Sequence, residues 1–459
     1  MRGKYDQRHA LVLGASISGE WSARVLLARG GRVTLLDESD GAKLSEVAAR
    51  VRAAGCNVLF GKRALPEGSV DVCVASPAFA RNHVWIKACE ARGIPVISEL
   101  ELGAEYWRGK MIAITGSKGK SSLVKFCADT LNLAGVPASP AGNYGIPLCQ
   151  LVMEQPDLAW AVVEVSSFQM EHSPTFHPHI ALLLNVQPDH LDRHADLAEY
   201  KQLKFSMFAN MEANDMALLP TCLDDEKMMN GRVPCYRFGS EKESDWQYED
   251  GKIFHNPSTM GKDSEATAHQ YGTCLNIKGS WFDNEILGLA AAAAGAILLR
   301  TGLSKEFVVQ GFMSFKPLSH RVQLVCTDAR GVTWIDDSKA TSLTATAAAL
   351  RMVKKPVRLI AGGILKEKDL IFLKELLTQT TQKVYLIGEC AGEMENAWAL
   401  TVPCEIYGTI DRAVAAAAQD AQSNETVLLS PGTASFDQFS SYRERGERFT
   451  QLVRAVANL

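Results

Sequence analysis

The chain lacks the features that mark several common protein classes. It has no CxxC pair, and its 11 cysteines are scattered and odd in number. That excludes a zinc-finger or disulfide framework and points to a reducing, cytoplasmic setting. Cys73, Cys89, Cys127 and Cys149 read as small buried apolar residues. There is no basic block and the net charge is −4, so nucleic acid is not an expected partner. No apolar run reaches the ~18–20 residues that cross a bilayer. The longest, Ile286–Leu299, is broken by glycine and reads as an Ala-rich core helix, so membrane insertion is not expected. The opening MRGKYDQRHALVLGAS has a basic start but a short apolar run, and reads as a first strand rather than a signal peptide. No internal repeat and no low-complexity tract is present.

What is present is a 459-residue chain of ordinary globular composition, long enough for three α/β domains. The spacing of strands and helices predicts boundaries at 1–107, 108–315 and 316–459. The organising stretch is MIAITGSKGKSS, Met111–Ser122. A buried strand runs into Gly116-Ser117-Lys118-Gly119-Lys120-Ser121-Ser122 and then a helix, Leu123–Ala134. Gly116 and Gly119 allow a tight turn whose N–H groups point at oxygens. The helix start adds unpaired donors and a positive dipole end. Lys120 can reach the β/γ-phosphates and the Ser121 hydroxyl can ligate Mg2+, although the loop is tighter than GxxxxGK[ST].

The first domain opens with a βαβ unit: strand Ala10–Leu13, a turn Gly14–Gly19, helix Glu20–Arg29, then strand Arg32–Leu36 ending at Asp37. This is a Rossmann-like layout, without GxGxxG. Two more strands, Val70–Ala75 and Ile94–Val96, follow. In the second domain, strand Trp160–Val165 carries Glu164 inside a buried run. A charge there is costly unless paired or bound to a cation, so Glu164 reads as a magnesium ligand. The next strand, Ala181–Asn185, delivers Asp189-His190-Leu191-Asp192, where His190 reads as a ligand or catalytic group. Tyr200–Met211 reads as an amphipathic helix on which Lys204, by pattern alone, is a solvated lysine. Gln247–Phe254 reads as a hairpin about an Asp-Gly turn. The third domain repeats an open α/β pattern, with Asp337-Ser338-Lys339-Ala340-Thr341, Gly362-Gly363 and Ser430–Phe439 at strand ends.

Together, GSKGKSS, AGNYGIP, VVEVSSFQMEH, NVQPDHLDRH with YKQLK, LSHRVQ, WIDDSKATS and LLSPGTASFDQFSSYRERGERF resemble the Mur ligase family over nearly the whole length. SSFQ and SPGTASFDQF resemble the D-glutamate-adding members. The resemblance implies an ATP-dependent amide-bond-forming ligase of peptidoglycan precursor synthesis, cytoplasmic and monomeric. It would add D-glutamate to UDP-N-acetylmuramoyl-L-alanine through an acyl phosphate. The fold implied has a Rossmann-like N-terminal domain, a central P-loop ATPase-type domain and a C-terminal Rossmann-like domain. An ATP-dependent ligase for another amino acid and a nucleotide-binding module without ligase chemistry are the competing readings.

The resemblance also implies roles. Lys120 would hold the β/γ-phosphates, and Ser121 with Glu164 the first Mg2+. His190 and a carbamylated Lys204 would serve a second Mg2+ site. Gly116, Ser117, Lys118, Gly119, Ser122, Asn284, Arg321 and Asp337 would complete ATP binding, with Lys339 near the γ-phosphate and the reacting carboxylate. Ile17, Ser18, Asp37, Glu38, Ser76 and Asn143 would bind the UDP substrate. Thr341, Lys366, Ser435 and Tyr442 would bind D-glutamate. Departures stand at Ser117-Lys118 for Thr-Asn, Glu285 for an asparagine, Ile364-Leu365 without an aspartate, and Ser342 for an asparagine. An arginine expected near Ser39 is absent. None removes a phosphate, metal or carboxylate-activating group, which predicts an active enzyme.

Overall fold

The computed structural model describes residues 3–39, 45–61, 64–190, 193–223, 228–229, 231–256, 274–353, 356–366 and 369–457. Contacts divide the chain into two compact units: Met1–Asp283 with Gly288–Phe315, and Asn284–Leu287 with Lys316–Leu459. Two sheets lie in the first unit and one in the second. No helix among the described residues is long and apolar enough to cross a membrane.

The first sheet comprises β1 (His9–Leu13), β2 (Arg32–Asp37), β3 (Asn57–Phe60), β4 (Val72–Ala75) and β5 (Val96–Ser98). They are parallel in the order β3-β2-β1-β4-β5. Strand order reverses at β1, the position where open α/β sheets bind ligands beyond the carboxyl ends. The first helix is Ile17–Ala28, three residues earlier than predicted. Gly19 therefore lies on the helix and not in the turn. A Cβ on it would sit 1.9 Å from the Gly14 oxygen, so glycine there permits the close helix–strand approach.

The second sheet comprises β6 (Lys110–Thr115), β7 (Ala138–Gly142), β8 (Trp160–Glu164), β9 (Ile180–Leu183), β10 (Met216–Pro220), β11 (Cys235–Gly239), β12 (Trp246–Glu249), β13 (Lys252–His255) and β14 (Cys274–Asn276). Its order is β14-β13-β12-β11-β10-β9-β6-β8-β7. The β7-to-β12 part is parallel, and β12, β13 and β14 are antiparallel neighbours. β6, β8 and β9 are buried almost throughout, as parallel strands covered on both faces require. The hairpin forms at Asp250-Gly251, whose positive φ values of 41° and 74° suit a primed turn. The predicted Tyr200–Met211 helix is instead Leu197–Phe205, capped by Asp196, followed by a tighter turn at Ser206–Phe208.

The third sheet comprises β15 (Gln323–Thr327), β16 (Thr333–Asp336), β17 (Val357–Gly362), β18 (Thr381–Ile387), β19 (Cys404–Gly408) and β20 (Thr426–Leu429). Its order is β15-β16-β20-β17-β18-β19, with β15 antiparallel and the rest parallel. Apolar clusters pack on both of its faces.

Candidate active site

In the first unit the polar groups gather at strand carboxyl ends. The phosphate loop joins β6 to the helix Lys120–Leu133, which starts on Gly119 at φ 85°. Its shape is held by a side chain the sequence reading passed over. Asn185, beyond β9, accepts with Oδ1 from Ser117 N at 2.9 Å and Lys118 N at 3.0 Å, and donates from Nδ2 to Lys118 O at 3.1 Å. The Ser117 hydroxyl is turned away, donating to Gln187 O and accepting from Gln187 N, both at 2.9 Å. Ser117 is thus fixed within the turn by its hydroxyl and by its backbone N–H, which Asn185 holds. Lys120 Nζ donates back to Gly116 O at 2.8 Å and Ser117 O at 3.2 Å. Ser121 is half-buried and Ser122 buried. Lys118 is exposed and pairs with Asp189 at 3.3 Å.

Lys204 is not the solvated lysine that its helical pattern predicts. It is 1% exposed, its Nζ donates to Gly116 O at 3.0 Å, and it lies 4.3 Å over the Tyr200 ring. Burial first, and the charge of Lys120 second, push its ammonium down to about 7. The helix face bearing Lys204 turns inward because Tyr200, Leu203 and Phe205 are also buried.

Glu164 is buried at the end of β8. Oε1 accepts from Asn143 Nδ2 at 2.8 Å, while Oε2 is buried without a hydrogen-bond partner. A buried carboxylate oxygen left open is the donor a hard cation needs, so these residues fit Mg2+. Among the described residues no three His, Cys, Asp or Glu side chains cluster closely enough to hold a metal alone. Hydroxyl, phosphate or carbamate oxygens would have to complete the shell. His190 is half-exposed at φ 54°, with its ring against Phe168 at 4.9 Å and Nε2 3.9 Å from Asp189. Asp192 lies outside the described residues. His194, not singled out in the sequence, is buried with Nε2 2.9 Å from Ser167 Oγ. The SSFQ stretch forms a capping box, Ser166 with Gln169.

Of the residues expected to bind a UDP moiety, Ile17, Ser18, Asp37, Glu38 and Ser76 gather where the first sheet reverses, whereas Asn143 stands apart from them, beside Glu164 at the end of β8. Asp37 accepts from Ala15 N at 2.7 Å and Ser39 N at 2.9 Å, tying the ends of β1 and β2 together. Ser16 and Ser76 hydroxyls are 3.4 Å apart across the β1 and β4 loops. Glu38 meets His83 Nε2 at 3.1 Å. Ile17 is 59% exposed and apolar at this edge, and Ser18 is half-buried beside it.

In the second unit, Asp337 is buried, accepting from Ser430 Oγ at 2.7 Å and Val322 N at 3.1 Å; burial raises its carboxyl to about 7. The neighbouring Asp336 holds His320 Nδ1 at 2.7 Å. Arg321, half-buried, lies between two residues at positive φ, His320 at 62° and Val322 at 45°. A β-branched residue in that region is strained, so these contacts over-determine the bend. Lys339 Nζ lies 4.0 Å over the Tyr442 ring. Burial lowers its pKa, and Arg321, Arg443 and Lys366 push the same way. Burial would raise the Tyr442 phenol, but Arg443, Lys339 and Arg321 hold it below its usual value. Ser435 is buried, Thr341 half-buried and Lys366 exposed. The departures have local uses. Ser342 caps helix Leu343–Met352, and Ile364 pairs with Ala434 through two backbone hydrogen bonds. Asn284 Oδ1 accepts from Leu287 N at 2.9 Å at the start of helix Glu285–Arg300, leaving Glu285 exposed on its first turn.

Arg445 is a further residue missed from the sequence. Only 1% exposed, it donates to Ser338 Oγ and O at 3.0 and 2.9 Å, and to Thr433 O at 3.1 Å. It therefore ties the loop bearing Lys339 to the loop bearing Ser435.

Residues 114–280 match the Mur ligase middle domain and residues 320–432 the Mur ligase glutamate ligase domain. The chain is 34% identical over 465 residues to a UDP-N-acetylmuramoylalanine--D-glutamate ligase of Koribacter versatilis, covering 100% of this chain and 98% of that protein. It is 34% identical over 463 residues to the protein of the same name from Chlorobium chlorochromatii, covering 97% and 98%. Among solved structures, the MurF ligase of Thermotoga maritima in complex with ADP aligns with a TM-score of 0.59 at 15% identity, covering 99% of each chain. The MurC ligase of the same organism aligns with a TM-score of 0.55 at 15% identity, covering 98% of this chain and 99% of that one. These structures share the fold; the full-length sequence relatives place the chain more closely, and it belongs to the Mur ligase family, among the UDP-N-acetylmuramoylalanine--D-glutamate ligases.

Proposed function

We propose that this chain joins D-glutamate to UDP-N-acetylmuramoyl-L-alanine at the expense of ATP, as a monomer in the cytoplasm. The substrate carboxylate attacks the γ-phosphorus, the bond to the β-phosphate oxygen breaks, and ADP leaves. The D-glutamate amine then attacks the acyl phosphate, loses a proton, and expels phosphate carrying the former carboxylate oxygen. The observation that carries this reading is the meeting, at the ends of β6 and β8, of a phosphate loop, Lys120, buried Lys204 and the unpartnered Oε2 of Glu164. The names of the full-length relatives select the substrates.

The chain's own groups divide the work. Gly116–Ser122 and Lys120 hold and neutralise the phosphates. Ser121 and Glu164 would hold one Mg2+, and His190 with Lys204 a second. Bound there, Mg2+ would offset the charge gathered on phosphate and carboxylate. Lys204 serves as a carbamate: it is buried beside the phosphate loop, and burial lowers its pKa to about 7, which favours the unprotonated amine that takes up CO2. Asn143 orients Glu164. Asn284, Arg321 and Asp337 bind nucleotide, and Lys339 meets the reacting carboxylate. Thr341, Lys366, Ser435 and Tyr442 bind D-glutamate, while Ile17, Ser18, Asp37, Glu38 and Ser76 bind the UDP moiety. We assign the UDP, ATP and amino-acid roles to domains 1–107, 108–315 and 316–459.

The test is purified protein with UDP-N-acetylmuramoyl-L-alanine, ATP, Mg2+ and each of several amino acids, followed by phosphate release and product mass. D-glutamate is expected to be preferred. Preference for L-alanine, L-lysine or diaminopimelate would overturn the reading. Lys120→Ala and His190→Ala are expected to remain folded without forming product.

A further inference from the structure

We infer that Arg193 is a positioning residue that couples the loop holding the nucleotide-sugar substrate to the loop holding His190. The inference rests on the functional reading above. Arg193 has a side chain only 12% exposed, and its guanidinium faces both loops. Toward its own domain it makes a two-pronged pair with Glu171, Nε to Oε1 at 3.0 Å and Nη2 to Oε2 at 2.8 Å. Toward the first sheet it donates to three successive carbonyls of the loop after β4: Pro77 at 2.7 Å, Ala78 at 3.3 Å and Phe79 at 2.9 Å. That loop begins at Ser76, whose oxygen accepts from Phe79 N at 3.0 Å.

The connection to His190 is equally direct. Arg193 N donates to His190 O at 3.0 Å. The guanidinium lies 4.2 Å over the Phe168 ring, and the His190 ring packs on the same phenyl at 4.9 Å. Phe168 therefore touches both Arg193 and His190. On the far side, the Phe79 ring touches His83 at 4.8 Å, and His83 holds Glu38. An unbroken series of contacts thus runs from His190 to Glu38. Only a planar fork with donors on several edges can grip a carboxylate and three carbonyls together while stacking on a ring. A lysine can satisfy one side or the other. Coupling of this kind is reciprocal: ordering of one loop by its ligand favours the ordered form of the other.

The experiment uses the full chain as wild type, Arg193→Lys and Arg193→Ala, with folding checked by circular dichroism. Calorimetry measures Mg2+ binding in the presence of ADP, with and without UDP as the probe of the nucleotide-sugar site. Wild type is expected to bind Mg2+ about fivefold or more tightly when UDP is present. Arg193→Lys is expected to lose that enhancement, and in the ligase assay to raise KM for the nucleotide-sugar while KM for D-glutamate stays unchanged. A variant that keeps the wild-type enhancement, or a wild type that has none, overturns the inference. So does an equal rise of every KM, or a loss of thermal stability with binding unaltered, since a merely structural arginine would give those. The calorimetry needs no turnover, so a wild type that binds as described but forms no product would overturn the functional reading alone.

Discussion

Lys120 and Lys204 donate to one acceptor, the carbonyl oxygen of Gly116, at 2.8 and 3.0 Å. Burial first, and the neighbouring charge of Lys120 second, bring Lys204 down to about 7. An unprotonated amine adds CO2, forming an N–C bond and releasing a proton, and becomes an anion able to ligate Mg2+. Protein equilibrated with 13C-bicarbonate at about pH 8, above the lowered Lys204 value, is expected to show a carbamate resonance that Lys204→Met lacks. Lys120→Ala removes the second cause of the shift and is expected to weaken the resonance at fixed pH. No resonance in the wild type refutes the carbamate.

Asn143 and Glu164 form a second dependent pair. Asn143→Ala strips the amide from Oε1 and leaves a buried carboxylate with neither oxygen hydrogen-bonded by that side chain. The expected cost is about 1–3 kcal/mol by urea unfolding, smaller when Mg2+ is added. Glu164→Gln is expected to abolish stabilisation by Mg2+; equal Mg2+ response in wild type and Glu164→Gln would remove Glu164 from the metal site.

Asp337 gives the pH dependence. Its carboxyl is raised from 3.8 to about 7 by burial, so between those values the native state holds more protons than the unfolded chain. Stability contributed by this group is greatest below about pH 4, falls through the interval, and is flat above about pH 7, with a limiting slope of about 1.4 kcal/mol per pH unit. Asp337→Asn is expected to flatten that part of the profile in urea melts across the interval. An unchanged slope in the variant contradicts the assignment.

Arg445 and Gly446 support the second unit's loops. Arg445→Met leaves Ser338 and Thr433 acceptors buried without their donor and is expected to cost about 3 kcal/mol or more, with KM for D-glutamate raised. A Cβ at residue 446 would lie 2.2 Å from His320 Nδ1 and 2.8 Å from Asp336 Oδ2. Gly446→Ala is therefore expected to part that pair, disturb Arg321 and raise KM for ATP, at a stability cost of about 1–3 kcal/mol. Wild-type kinetics in Gly446→Ala would show that the pair does not place Arg321.

β6, β8 and β9 were readable because both of their faces are apolar, which leaves a continuous run in the sequence. β3 and β19 were not, since Asn57–Phe60 and Cys404–Gly408 are partly exposed, with no clean period. Lys204 shows the limit of pattern: helical spacing says which face a residue occupies, but a lysine on a buried face looks like any other lysine until its neighbours are known. Only the resemblance of the YKQLK stretch singled it out. Arg193, Arg445 and Asn185 left no local signal, because their partners lie 22 to 116, 11 to 107 and 67 to 68 residues away in the chain.

The amide of Asn185 grips both sides of the phosphate turn at once, two N–H groups and one carbonyl. Ordering a residue's backbone costs about 1–2 kcal/mol. For Ser117 and Lys118 that cost is met when the chain folds, not when a triphosphate arrives. A looser turn, as in Asn185→Ala, is therefore expected to slow nucleotide capture by leaving that ordering to be met at binding.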